Sequence, residues 1–178
     1  MDFDPQQLAA SGLEYRCGSD LGYVDPTTII CSLYDKDNKK IYVFDEFYRR
    51  GCQLDEVARA MEGMELKRVK VWMDAAEPRT IDYFRKMGFN AVPCIKGADS
   101  VRAGIAFLQN MEIIIHPKCE NLITEFENFC YLKSKKTGEL TEDMDHSYSH
   151  GVDGLRYSYS NIYTNKQLKT FDKKLLGL

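Results

Sequence analysis

Residues 69–78 read VKVWMDAAEP, and the fold turns on what lies to either side of them. The run from Val69 to Met73 predicts a buried strand, and that strand stops on an acid, Asp74. Upstream, LEYRCGSDLG (13–22), TTIICSLY (27–34) and IYVFDEFY (41–48) read as three earlier strands. The polar DKDNKK between the last two predicts a hairpin turn, so these strands form an antiparallel meander. Then the period changes. Leu54, Val57, Ala58 and Met61 recur at helical spacing, with Asp55 and Glu56 in the first turn and Gly63 as a stop. Val69–Asp74 thus follows a helix, and from there helix and strand alternate. RTIDYFRKM (79–87), closed by Gly88, predicts a helix; NAVPCI (90–95) a strand; SVRAGIAFLQN (100–110), capped by Ser100, a helix; MEIIIH (111–116) a strand. Leu122, Ile123, Phe126, Phe129 and Cys130 mark a further helical stripe, read as core. The polar YLKSKKTGELTED turns at Thr137-Gly138, and GVDGLRYSYSNIY (151–163) reads as a last helix. The expected architecture is α/β: a mixed sheet, meander plus parallel strands, with helices on both faces. Crossover helices bring the loops at the C-terminal ends of the parallel strands together, the usual place for chemistry, and Asp74 stands at such an end.

Bulk properties fit one domain. A chain of 178 residues with 44% hydrophobic content can bury a core, and its start carries no basic segment followed by an apolar run. No stretch approaches the roughly 18 apolar residues of a membrane span. Cys17, Cys31, Cys52, Cys94, Cys119 and Cys130 are scattered without metal-binding spacing and lie mostly in apolar segments, so buried free thiols in a reducing compartment are expected. The net charge of −3 does not mark a nucleic-acid binder, although basic residues cluster at Arg49/Arg50, Lys133/Lys135/Lys136 and Lys166/Lys169/Lys173/Lys174. On composition alone these are solvated surface.

Three acids carry the chemistry. Asp20 and Asp74 each end an apolar strand, and Asp153 lies in the helical SHGVDGLRYSY. Carboxylates from distant parts of a chain suit a hard cation, Mg2+ or Mn2+, which takes oxygen ligands and keeps positions for water and phosphate. Two such ions about 3.5–4 Å apart activate water and stabilise the leaving oxygen in phosphodiester hydrolysis. Each acid also has a local explanation: Asp20 as a turn start with Gly22, Asp74 as a cap on the next helix, and Asp153 as an acid favoured by the helix dipole. His150, three residues before Asp153, shares its helix face as a metal ligand or as a donor to one. Asp145 and His146 are weaker candidates, His116 reads as strand-end punctuation, and Glu77 as a helix-start acid. KGADSVRAG lacks the spacing of a nucleotide-binding P-loop, which leaves Lys96 and Arg102 as contacts to a DNA backbone.

At this point the residues resemble a known family. GSDLGYVDPTTII, VWMDAAEPRTI, KGADSVRAGIAFLQNMEIIIHP and HGVDGLRYSYS, in that order from Leu13 to Tyr159, resemble the C-terminal nuclease domain of the large terminase subunit of tailed bacteriophages and prophages. The resemblance implies a ribonuclease-H-like fold, which agrees with the order of elements read above. It implies that Asp20, Asp74 and Asp153 are the catalytic, metal-holding acids, with His150 an accessory ligand. Ser149 departs from the Asn expected before that histidine. It implies that KSKKTGEL is a hairpin touching DNA or gating the site through Lys133, Lys135 and Lys136. The whole of 1–178 is then a single nuclease domain, with a core at 13–160 and a basic C-terminal tail at 161–178 that contacts a partner such as the portal. The N-terminal ATPase motor of whole large subunits is absent from this chain, which reads as an excised domain. The implied activity is a Mg2+- or Mn2+-dependent endonuclease, with two ions, cutting double-stranded viral DNA concatemers with little sequence preference in the cytoplasm of the infected or lysogenic host. The implied partners are the motor, the small terminase subunit and the portal, and no membrane. The alternatives are a Holliday-junction resolvase or ribonuclease H of the same fold, and a silent module that only binds a packaging partner.

Overall fold

The first three strands pair as their alternation demands. In a computed structural model describing residues 3–74, 76, 78–129, 131–133, 140–144 and 148–164, β1 (Glu14–Asp20), β2 (Thr27–Asp35) and β3 (Lys40–Arg49) form the antiparallel meander. Its second turn is closed by Asp35, whose carboxylate accepts from the Asn38 backbone and side chain. A short α1 (Pro5–Ala10), capped by Asp4, precedes the meander. It leaves no periodic signal because it buries no residue and so has no apolar stripe.

Past the meander, α2 (Leu54–Gly63) and a 3-10 turn (Leu66–Arg68) lead to β4 (Lys70–Met73). α3 (Pro78–Lys86), β5 (Asn90–Pro93), α4 (Ser100–Gln109), β6 (Glu112–Ile115) and α5 (Glu120–Asn128) follow. Pro78 takes the first helical position, where no N–H is needed. Gly88, at φ +87°, ends α3 as expected. A small antiparallel pair, β7 (Tyr131–Lys133) and β8 (Leu140–Met144), precedes α6 (His150–Ser158) and α7 (Ser160–Tyr163). The large sheet has the order β5-β4-β1-β2-β3-β6, with β4, β5 and β6 parallel to their neighbours. It is the expected mixed sheet.

Helices cover both faces. On one, Val57, Ala58 and Met61 of α2 and Ile81 and Phe84 of α3 pack on Cys17, Ile29, Cys31, Val71 and Met73. On the other, Phe107, Leu108, Leu122, Leu155, Tyr159 and Tyr163 pack on Ile30, Tyr34, Ile41 and Val43. Every residue of β2 except Asp35 is therefore buried, and each fully buried Ile or Leu contributes about 1.5–3 kcal/mol.

Four expectations change in detail. Asp99, at φ +59°, precedes α4 and Ser100 is its first residue, so Ser100 is not the cap. α5 ends at Asn128, with Phe129 already extended and Cys130 outside the described residues. The last predicted helix breaks at Tyr159 into α6 and α7. Tyr163 is buried in the second core, so packing continues past residue 160. Cys17, Cys31, Cys52, Cys94 and Cys119 are buried thiols, as expected.

Candidate active site

Asp20 is the last residue of β1 and Asp74 follows the last of β4. Ser19 pairs with Met73 in parallel register, which sets the two acids side by side at the C-terminal edge of the sheet. Cys17, Val71 and Met73 point into the α2/α3 core, so strand alternation turns Asp20 and Asp74 to the opposite face, where α6 lies. That helix can approach because residue 18 has no side chain. A Cβ on Gly18 would collide with the Gly154 carbonyl oxygen and stand 2.8 Å from the Ser158 nitrogen. The helix is pinned at both ends: Thr28 Oγ1 donates to the His150 carbonyl (2.9 Å), and Arg16 Nη1 donates to the Ser158 carbonyl (2.9 Å). Its first turn then presents Asp153 to the two strand-end acids.

Each acid is held by a cationic or ionisable partner from elsewhere in the chain or the helix. His150 Nδ1 lies 3.2 Å from Asp20 Oδ2, and its Nε2 faces Asp25 Oδ1 at 3.9 Å. His150 thus bonds Asp20 from the same helix turn that carries Asp153. The Asp153 carboxylate accepts from Arg156 Nε (2.9 Å) and Nη2 (2.6 Å). Lys96 Nζ is 2.6 Å from Asp74 Oδ1, and the Ala76 N–H and Tyr157 hydroxyl also donate to Asp74, at 2.7 and 3.3 Å. Asp74 therefore closes the turn after β4 through the Ala76 N–H and joins the cluster; α3 begins only at Pro78, so the acid is not the cap of that helix.

Tyr157 lies at the centre. The Arg156 guanidinium sits 4.8 Å from the centroid of its ring and the Lys96 ammonium 5.8 Å, within cation–π range. Burial, and then the charges of Asp20, Asp153 and Asp74, push its phenol well above the ordinary range. Burial also raises the Asp20 carboxyl, with Asp153 and Asp74 adding to the rise and the His150 hydrogen bond opposing it. Burial pushes Asp74 upward too, but Lys96 and the Ala76 N–H outweigh it and leave that carboxyl below its usual value. His150 is raised by its bond to Asp20 against its own desolvation.

Two further carboxylates set the stage. Glu46 accepts from the backbone N–H groups of Asn121 and Leu122 at the start of α5 (both 2.9 Å). From α5, the buried Glu125 accepts from Val152 N at the start of α6 and from the Tyr48 hydroxyl (both 2.9 Å). Sequence reasoning missed Glu125, Tyr157 and the pairing roles of Lys96 and Arg156. Only the Asp153–Arg156 spacing, three apart on a helix, was a readable signal. Lys96 stands at the acids, and Arg102 is exposed in the first turn of α4. Lys133 is the last residue of β7; Lys135, Lys136, Glu77, Asp145 and His146 are outside the described residues.

Carboxylate oxygens are the donors a hard divalent cation takes, and the mutual charge at Asp20 is what such a cation would relieve. The donor chemistry fits. Among the described residues, however, no group of three or more His, Cys, Asp or Glu side chains is already gathered as a cation site, since the acids are turned to protein partners.

A meander extended by parallel strands, with acids from β1, β4 and an apposed helix meeting at one edge, defines a protein of ribonuclease-H-like fold. The chain belongs to the family described as the terminase RNAseH like domain, whose sequence profile matches residues 20–161. It is 26% identical over 163 residues to the PBSX phage terminase large subunit of Bacillus subtilis, covering 90% of this chain and 37% of that protein. It is equally identical, at 26% over 163 residues, to the terminase large subunit of Escherichia phage T5, covering 86% of this chain and 36% of that one. This chain spans little more than a third of either relative. The g2p (large terminase) nuclease domain of bacteriophage SPP1, solved with bound Mn, superposes with a TM-score of 0.80 at 27% identity, over 89% of this chain and 92% of that one. The large terminase of a thermophilic bacteriophage, at 20% identity and a TM-score of 0.65 over 84% of this chain and 40% of that chain, shares the fold. No helix among the described residues is long and apolar enough to cross a membrane.

Proposed function

We propose that this domain is a divalent-metal-dependent endonuclease that cuts double-stranded viral DNA concatemers during genome packaging. The observation that carries the reading is that Asp20 and Asp74, at neighbouring strand ends, both touch α6, the helix whose first turn bears Asp153: His150 lies 3.2 Å from Asp20 and the Tyr157 hydroxyl 3.3 Å from Asp74. The relationship to the SPP1 nuclease domain with bound Mn and to the PBSX large subunit supports it. Asp20, Asp74 and Asp153 would hold two Mg2+ or Mn2+ ions, with His150 as the accessory donor beside Asp20. When bound, such ions supply an activated water and stabilise the leaving oxygen. The chain's own part is orientation: His150 fixes Asp20, Arg156 fixes Asp153, and Tyr157 with the Ala76 N–H fixes Asp74. Lys96, Arg102, Lys133, Lys135 and Lys136 are assigned to backbone phosphates, which carry no base code; cutting is then weakly selective and binding falls with salt. In the whole protein the proposed partners are an ATPase motor, the small terminase subunit and the portal, in the cytoplasm of the bacterial host.

Plasmid cleavage in Mn2+ tests this directly. Asp20→Asn or Asp74→Asn should lower the rate by about 100-fold or more, since removing even a group that orients a metal ligand costs about 10–100-fold. Asp153→Ala should abolish the heat of Mn2+ binding in titration calorimetry. A folded Asp74→Asn protein that cuts as fast as the parent refutes the assignment. Branched DNA and RNA:DNA hybrids offered beside plain duplex separate the terminase reading from a resolvase or ribonuclease H.

A further inference from the structure

The acids are ringed by exposed apolar side chains. Of the eight large hydrophobic residues exposed among the described residues, Tyr23, Val24, Leu54, Ile95, Val101 and Tyr148 all lie on loops or first helical turns at the sheet edge that carries Asp20 and Asp74. Only Tyr15 and Met87 lie toward the opposite edge. The most prominent are Tyr23, 60% exposed, and Val24, 81% exposed, on the turn between β1 and β2. That turn is fastened: Thr27 Oγ1 donates to the Gly22 carbonyl at 2.5 Å, and the Gly51 N–H donates to the Tyr23 carbonyl at 2.9 Å. Tyr23 and Val24, adjacent on this fastened turn, are thus held outward together.

Cations stand among them. The second fastening bond joins this turn to Arg49-Arg50-Gly51 at the end of β3, a strand parallel to β1 and two places from it. Asp20, Thr28 and Tyr48 are level across the sheet, so Arg49 and Arg50 begin one residue beyond the row of Asp20. Both are exposed. Arg49 meets Glu56 only at 3.9 Å on the surface, a weak pairing, and Arg50 makes no ion pair among the described residues. The negative group on the same turn, Asp25, faces His150. On the other side of the acids, Lys96 follows β5. Its ammonium reaches back to Asp74 at the end of β4, and from β3 to β4 is three strand spacings, about 14 Å, which corresponds to about four base pairs at 3.4 Å each.

Resting on the nuclease reading above, we infer that the joined turns carrying Tyr23, Val24, Arg49 and Arg50 are a second duplex-DNA contact site. Arg49 and Arg50 take backbone phosphates, and Tyr23 and Val24 lie against the sugar walls of the minor groove. The duplex then crosses the strands from Arg49/Arg50 to the acids, where Lys96 stands beside Asp74. Apolar side chains interleaved with arginines on a fastened, projecting turn match the chemistry of that groove and its flanking phosphates. A protein partner would ask for a continuous apolar patch depleted of charge at its centre.

The test is fluorescence anisotropy of a labelled duplex without divalent ions, over a series of salt concentrations, for the chain and two double variants. Arg49→Gln/Arg50→Gln should weaken binding and reduce the slope of log affinity against log salt by about 1–2. Tyr23→Ser/Val24→Ser should weaken binding about tenfold with the slope unchanged, because the lost contact is apolar. Thermal melts and Mn2+ titrations should match the parent for both variants. If the parent binds and cuts duplex while both variants keep its affinity and slope, the inference is overturned and the rim is left to a protein partner. If the parent neither binds nor cuts duplex, the nuclease reading falls, and this inference with it.

Discussion

Gly18 decides how the site closes. It lies two residues before Asp20, and the space its missing side chain leaves is filled by the backbone of α6 at Gly154 and Ser158. Backbone cannot swing aside as a side chain can. Gly18→Ala should therefore lower stability by about 1–3 kcal/mol or more, read as a fall in the urea midpoint with the slope unchanged, and it should slow cleavage by moving Asp153 away from Asp20. At this scale the sequence was generous with acids and silent about their partners. Asp20 and Asp74 were legible because each ends an apolar strand. Their partners lie outside any local period: His150 is 130 residues from Asp20, and Lys96 lies beyond α3 and β5 from Asp74. Arg156 was the exception, since it shares a helix turn with Asp153.

The element that matters most is α6, and its position is set by carboxylates. Glu46 on β3 caps α5, and Glu125 on α5 in turn satisfies the Val152 N–H, one of the orphan donors at the start of α6. This relay runs from the sheet to the helix bearing Asp153. Glu125 is only 2% exposed, so Glu125→Ala would strand both the Val152 N–H and the Tyr48 hydroxyl. It should cost about 2–4 kcal/mol in chemical denaturation, whereas Glu125→Gln, which keeps an acceptor for Val152, should cost less than half of that. A stability loss equal in the two variants would argue against the cap. The strands and helices were legible where an apolar period ran long enough, as in Val57–Met61 or Thr27–Tyr34. α1 was not, because it packs no stripe. Ser100 misled because Asp99, in a left-handed conformation, already makes the turn into α4.

Across the whole molecule, a sheet covered on both sides leaves the cysteines among the described residues buried. Burial pushes the Cys119 thiol up to about 12, with Glu46 and Asp45 adding to it, and burial likewise raises Cys17 and Cys52. A raised pKa means less thiolate, the reactive form, at any pH below it. At pH 8 without denaturant, iodoacetamide should leave Cys17, Cys31, Cys52, Cys94 and Cys119 unmodified over the time that labels all of them in 6 M guanidinium, as read by peptide mass spectrometry. Rapid native labelling of Cys17 or Cys119 would show that the two cores are looser than described.

Periodicity along the chain was enough to set the meander, the alternation after it and the ends of β1 and β4, because a strand or helix with one apolar face must turn that face inward wherever the chain goes next. Asp20 and Asp74 could be picked out on that ground, and Asp153 beside them through the family resemblance. Which face they share, and what holds each of them, was decided by packing: by parallel register between β1 and β4, by the missing side chain at Gly18, and by Glu125 on α5. Those are relations between segments far apart in sequence. They exist only once loop closure has been repaid by burial, so a carboxylate's partner and its pKa belong to the folded molecule, while its place at the end of a strand belongs to the chain.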